Sequence, residues 1–241
     1  MANSHKINPL EVQTSSNTFS MVIELIASGL TKGAVIGIGN DIGLWSNISC
    51  MMDELLIFES DSHWLRECQD YSCNLISKLK PKRSRCIKFI PFENEIYVSA
   101  QAQAKLLAEL HEASYCALIE EIQSLSLYKT LNTYQPDWIY VDGPLGGYWD
   151  EMNFQIEPNR GRFETIFSSA LCLKTNACPN KLKWLIVDDC HRFIEKKSLS
   201  VLSPLLSPIH GIPLTRNTLA FKINPGNKNI NTKRDYIPIT F

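Results

Sequence analysis

What this sequence lacks narrows its class first. No apolar run approaches the roughly 18 residues of a membrane-spanning helix, so no membrane partner is expected. The opening stretch, MANSHKINPLEVQTSSNTF, has no apolar core of the kind a secretory signal carries, and the expectation is a cytoplasmic chain. An excess of either charge is missing: the formal net charge is −1, which offers no bulk attraction to nucleic acid or to an anionic surface. Cysteine occurs at positions 50, 68, 73, 86, 116, 172, 178 and 190, yet no two are spaced as Cys-x-x-Cys. Zinc-ribbon and dithiol redox spacings are therefore missing, no metal is expected, and the thiols are read as reduced and mostly buried. Neither an internal repeat nor a linker of Pro, Gly and Ser interrupts the chain.

What is present points to a single α/β domain. The 241 residues are 44% hydrophobic, enough for a sizeable core and too apolar for disorder. A loose polar tail is expected over 1–15, one domain over 16–224, and a polar segment over 225–241. Within the domain, Gly33 to Gly39 is a short apolar run ending in glycines, which suits a buried parallel strand. Gly37 and Gly39 permit a tight turn and a close approach of backbone to ligand, and a helix is expected from about Ile42. A second apolar run, Leu55 to Phe58, ends at Glu59, twenty residues after Gly39. An acid at that strand tip is placed to accept hydrogen bonds from the two hydroxyls of a ribose.

The third glycine falls one residue later than in the dinucleotide fingerprint, giving G-x-G-x-x-x-G with Gly43. Asp41 sets a carboxylate beside the turn, which a pyrophosphate would disfavour. S-adenosylmethionine, with its sulfonium and ammonium, tolerates that charge. Gly37, Gly39, Asp41 and Glu59 are therefore candidate cofactor residues for a methyl donor. The alternatives are an NAD-linked oxidoreductase on the same half-fold and a non-catalytic cofactor-binding or interaction module.

Later strands carry the candidate chemistry. Trp138 to Val141 reads as a buried strand with Asp142 at its tip, followed by the rigid Gly143-Pro144-Leu145-Gly146-Gly147. Residues 149–160 are a polar candidate substrate loop, and Arg162 opens a helix over Phe163 to Leu173. The next strand, ending Val187-Asp188-Asp189-Cys190-His191-Arg192, repeats the design. Helical spacing of apolar residues also predicts a first helix capped by Ser16 or Asn17, one from Asp61-Ser62 to Leu79, and a long one from Ser99 to Leu127 that breaks near His111 to Ser114. Strands at Leu214 to Arg216 and Thr218 to Ile223 form an expected terminal hairpin. The basic run Lys78 to Lys88, six charges in eleven residues, leads into the third strand, Cys86 to Phe92. It should therefore lie on the side away from a ligand crevice.

Taken together, Gly37-Ile38-Gly39-Asn40-Asp41 with Leu44-Trp45, Phe58-Glu59-Ser60-Asp61 with Trp64, the Val141 to Tyr148 loop, Gly161-Arg162 and Val187 to Arg192 resemble the plant glucuronoxylan 4-O-methyltransferase and polysaccharide-biosynthesis domain family, over about residues 19–205. The resemblance implies a class I S-adenosylmethionine-dependent methyltransferase. Its fold is a single doubly wound, mostly parallel Rossmann-like sheet with a C-terminal antiparallel hairpin. The activity it implies is O-methylation of a hydroxyl on an anionic, sugar-like acceptor, a small molecule or a glycan. It places Gly37, Gly39, Asp41 and Glu59 at the cofactor, and Asp142, Arg162, Asp189 and Arg192 around the reaction centre. Asp142 and Asp189 are then the candidate catalytic acids, and Arg162, Arg192 and His191 the candidate substrate-binding residues. The chain departs from the family at Asn40, Ser60 and Asp188, where the family usually has a histidine, a second acid and a histidine.

Overall fold

A computed structural model of the chain describes residues 13–79, 87–93, 95, 112–143, 162–176, 181–202, 211–215 and 217–223. Seven strands form one sheet in the order β3-β2-β1-β4-β5-β7-β6. They are β1 (Lys32–Ile36), β2 (Glu54–Glu59), β3 (Ile87–Pro91), β4 (Trp138–Val141), β5 (Lys183–Val187), β6 (Gly211–Pro213) and β7 (Leu219–Ile223). The first five are parallel, and β7 is antiparallel to both β5 and β6. This is the doubly wound Rossmann-like order of the methyltransferase fold, with its antiparallel end as expected. The order reverses between β1 and β4, and such reversal points are where open α/β sheets take their ligands.

The strands form where they do because both faces are covered. Within β1, Ala34 and Ile36 face one layer, while Val35 faces the other. The same alternation runs through Leu56 and Phe58 against Leu55 and Ile57, and through Ile139 and Val141 against Trp138 and Tyr140. On the second of these faces lie α1 (Ser16–Ala27), α2 (Ile42–Ile48) and α3 (Ser62–Leu79). On the first lie α4 (Glu112–Ser124), α5 (Ser126–Tyr134), α6 (Phe163–Thr175) and α7 (Phe193–Val201). Each fully buried Leu, Ile or Phe contributes about 1.5–3 kcal/mol relative to exposure, so this two-sided core is the main stabilising term. Trp138 fills the second face; its ring stands where a side chain at residue 33 would go, so only Gly33 fits there.

The structure moves several sequence-predicted boundaries. Ser15 rather than Ser16 or Asn17 caps α1, its Oγ accepting from the Thr18 amide at 3.1 Å. Among the described residues the helical region after β3 starts at Glu112, breaks at Leu125 and continues to Tyr134; the expected break near His111 to Ser114 lies at the edge of the described residues. Leu125 is extended and buried there, while Ser126 donates its amide and hydroxyl to Glu95. The first arm of the hairpin is Gly211–Pro213 rather than Leu214 to Arg216. Leu214 instead lies past that arm, its amide donating to the Thr218 carbonyl at 3.0 Å. Lys88, at the end of the basic run, pairs with Glu54 at the start of β2. That is the amino end of the strands; the middle of the run and His111 lie outside the described residues. No described helix is long and apolar enough to cross a membrane.

Candidate functional site

The glycine turn sits where β1 leaves the sheet. Gly37 has φ 80°, and a Cβ on it would stand 2.4 Å from the Cα of Gly143. The loops after β1 and β4 therefore touch backbone to backbone. Gly39 also has positive φ, 48°, within the short 3-10 turn Gly39–Asp41 that leads into α2. Gly43, the displaced third glycine, faces Tyr71 of α3: a Cβ there would lie 3.3 Å from the Tyr71 hydroxyl.

Glu59 ends β2 directly beside this turn. One carboxylate oxygen accepts from the Ile38 amide at 3.3 Å, inside the turn. The other accepts from the amides of Ser60 and Asp61 at 2.8 and 3.1 Å. Such backbone donors fix the carboxylate's direction and leave lone pairs over for a ligand. Asp61 caps α3 through the amides of His63 and Trp64, and the Trp64 indole donates to the Gly39 carbonyl at 3.1 Å. Gly37, Gly39 and Glu59 are thus brought together as expected from sequence.

Asp41 is placed differently from that expectation. Its carboxylate is 1% exposed and both oxygens are taken by the segment before α1. The Gln13 amide donates to one at 2.7 Å, and the Thr14 amide and hydroxyl donate to the other at 2.9 and 2.5 Å. Burial pushes this carboxyl above its usual range, against the pull of those three hydrogen bonds. The strap continues across the sheet end. The Thr14 hydroxyl lies 3.4 Å from that of Tyr140, Tyr140 donates to Asp188 at 3.3 Å, and Thr218 donates to the other Asp188 oxygen at 2.6 Å.

The acids after β4 and β5 converge on Arg162. Its guanidinium is 2% exposed, donating to Asp142 at 3.0 Å, to Asp189 at 2.8 Å and to the Asp188 carbonyl at 2.9 Å. Glu195 of α7 stands 3.9 Å from its Nε. Burial pulls the Arg162 pKa down, but Asp142, Asp189, Glu195 and Asp188 more than reverse that, and it stays charged. Burial pushes the Asp142 carboxyl up to about 7; Arg162 restrains the rise, while Asp188, Asp189 and Asp41 add to it. Burial likewise raises Glu195, again against Arg162. Arg162, expected to grip a substrate, is buried with both terminal nitrogens donating inside the protein and organises these acids, while its buried Nε–H has no hydrogen-bond partner.

Asp189 is one of two described non-glycine residues with positive φ, at 55°. That backbone costs about 1–2 kcal/mol for most residues and less for Asp or Asn. Arg162 and Arg192 hold it there, the Arg192 guanidinium lying 2.7 Å from the Asp189 carboxylate. The adjacent acids therefore part company: Asp188 turns toward Tyr140 and the strap, Asp189 toward Arg162. Arg192 is partly exposed at 19%, and His191 is exposed on the same turn.

Gln13, Thr14, Tyr140, Asp188, Glu195 and Thr218 were not singled out from sequence. A histidine-to-aspartate departure at residue 188 was the one signal available for any of them. The candidate loop at 149–160 lies outside the described residues. Among the described residues no group of His, Cys, Asp and Glu could hold a metal ion. A separate open groove of about 440 Å³ between α1 and the β6 edge has Glu24 as its one charged lining residue, remote in character from the acid cluster.

No family model matches the sequence, and no curated protein matches it. Solved structures do show likeness. The O-methyltransferase NovP is 12% identical with a TM-score of 0.47, over 86% of this chain and 77% of that one. A Staphylococcus aureus protein assigned as a caffeoyl-CoA O-methyltransferase is 12% identical with a TM-score of 0.45, over 88% of this chain and 85% of that one. The precorrin 8w decarboxylase of Methanobacterium thermoautotrophicum is 13% identical with a TM-score of 0.40, over 90% of each. Two are named for methyl transfer and one for decarboxylation, so substrate and chemistry must be sought in the site itself.

Proposed function

We propose that this chain binds S-adenosylmethionine and methylates a hydroxyl of an anionic, sugar-like acceptor. One observation carries the reading: carboxylates end β2, β4 and β5 at the same edge of the sheet, around a two-glycine turn at the strand-order reversal. A cationic cofactor suits that edge and a pyrophosphate does not. The residues fit the group. Gly37 and Gly39 leave the turn without side chains, and Glu59 is already oriented by backbone donors for a ribose.

When bound, the cofactor supplies an electrophilic methyl on a sulfonium sulfur. The chain's own work is alignment and proton removal. Asp142, raised to about 7 by burial, is matched to take the acceptor's hydroxyl proton near neutral pH, the proton that methylation of that oxygen would release. Asp189, held with it on Arg162, orients the same hydroxyl or serves as the base itself. Arg192, partly exposed on that turn, supplies positive charge for an acceptor carboxylate, and the exposed His191 beside it supplies a hydrogen-bonding ring.

The test is twofold. Calorimetry with S-adenosylmethionine, S-adenosylhomocysteine and NAD decides the cofactor. Transfer of labelled methyl to a panel of uronic-acid glycans, small phenols and RNA decides the acceptor. Carboxylated glycans should be the best acceptors. Equal reaction of neutral ones rejects the substrate class, binding without turnover to any member leaves a cofactor-binding module, and binding of NAD alone returns the oxidoreductase.

A further inference from the structure

The segment before α1 makes a contact that its polar sequence gives no reason to expect. Gln13 and Thr14 spend their backbone amides on the buried Asp41, and the Gln13 carboxamide lies over the glycine turn, its Oε1 3.2 Å from where a Gly39 side chain would begin. A side chain at residue 39 would be strained by its backbone conformation, and the group covering that position comes from the strap. On its far side the strap meets Tyr140 of β4 and, through it, Asp188 of β5.

These positions have a direction. Glu59, the ribose residue of the reading above, stands at β2, on one side of β1. Beyond the turn, the strap's side-chain contact, Thr14 with Tyr140, falls on the other side, over β4. A nucleoside held at Glu59 and reacting beside Asp142 must carry its amino-acid end past the turn on the strap's side. A carboxamide matches that end, since its oxygen accepts from an ammonium and its NH₂ donates to a carboxylate. Asp41 has no oxygen left without a protein donor, so its charge is committed to the strap.

We propose that Gln13 binds the amino-acid end of S-adenosylmethionine, and that Asp41 is a positioning residue acting through the strap. This rests on the cofactor reading above. The experiment compares two ligands on the full chain by calorimetry: S-adenosylhomocysteine, and methylthioadenosine, which keeps adenine, ribose and thioether but has no amino acid. Gln13→Ala should weaken S-adenosylhomocysteine by about tenfold, the worth of hydrogen bonds to a charged group, and leave methylthioadenosine within about twofold. Asp41→Asn should give the same selective loss through a loosened strap, and Gln13→Asn should recover part of the affinity. Gln13 is exposed, so its variants should fold and melt as the wild type does. Equal losses for both ligands, or none, overturn the strap assignment while the cofactor reading stands. A wild-type chain that binds neither ligand overturns both.

Discussion

Ion pairs decorate both ends of this sheet, and they differ in what surrounds them. At the amino end, Lys88 reaches Glu54 and Lys181 reaches Asp137, with the lysine side chains 56% and 42% exposed. At the carboxyl end, Arg162 is 2% exposed among Asp142, Asp189 and Glu195. Exposed pairs contribute about 0–1 kcal/mol because water and salt screen them. Breaking a buried pair costs about 3–5 kcal/mol, because it strands an uncompensated charge. At the amino end the lysine of each pair therefore stays in water, even where its acid, Asp137, is buried. At the carboxyl end charge is stored at a cost to stability, the usual mark of a site whose groups are needed for something else.

The sharpest way to break this contrast is at Asp142. Asp142→Asn should lower methyl transfer by about 10²–10⁴-fold, the usual worth of a general base, with cofactor affinity little changed. The same variant should flatten the pH dependence of stability. The folded Asp142 pKa is raised to about 7 against about 3.9 in an unfolded chain. The folded protein thus holds a proton that the unfolded chain releases. Stability from this group is full below about pH 4 and is lost as pH rises through 7. Melts between pH 4 and 8 should show a smaller fall in Asp142→Asn than in the wild type, the remainder coming from the other raised acids, Asp41 and Glu195.

Arg162→Met comes next, with an expected loss of about 3–5 kcal/mol in denaturant unfolding. The deficit should shrink at low pH, where the stranded acids protonate; a deficit that grows there would mean the acids do not depend on Arg162. Glu59→Ala should weaken S-adenosylhomocysteine by about tenfold or more while the fold is retained, since hydrogen bonds to a charged group are worth about 1.5–3 kcal/mol each. The smallest effect belongs to the other end. Lys88→Ser should shift stability by less than about 1 kcal/mol and leave turnover within about twofold. A large loss of activity there would erase the distinction between the two ends.

The sheet was legible in the sequence because a parallel strand covered on both faces reads as an unbroken apolar run, as at Leu55 to Phe58 and Leu185 to Val187. The β6 arm was not legible: three residues, Gly211–Pro213, give no alternation to read. Candidate acids at strand tips could be found because position alone marks them. Their partners could not. The amides of Gln13 and Thr14 that bind Asp41 are backbone groups, which any residue but proline supplies. Arg162 sat in the right place with the opposite emphasis, because sequence shows a charge and not whether its donors point inward. The parting of Asp188 from Asp189 follows from one left-handed backbone turn, which two successive aspartates do not announce.

The contact between Gly37 and Gly143 has a mechanical consequence. No side chain cushions the two loops, and the Gly37 amide is bonded to Phe58 while the Asp142 amide is bonded to Ile36. The glycine loop proposed to hold the cofactor and the loop bearing Asp142 are therefore geared: neither can rotate without displacing the other. Ligand that stiffens the first should slow amide exchange in the second, and exchange at Gly37 and Asp142 should slow together on adding S-adenosylhomocysteine. Independent rates at the two amides would show a slack joint, and distances between cofactor and acid would then have to be set by the acceptor.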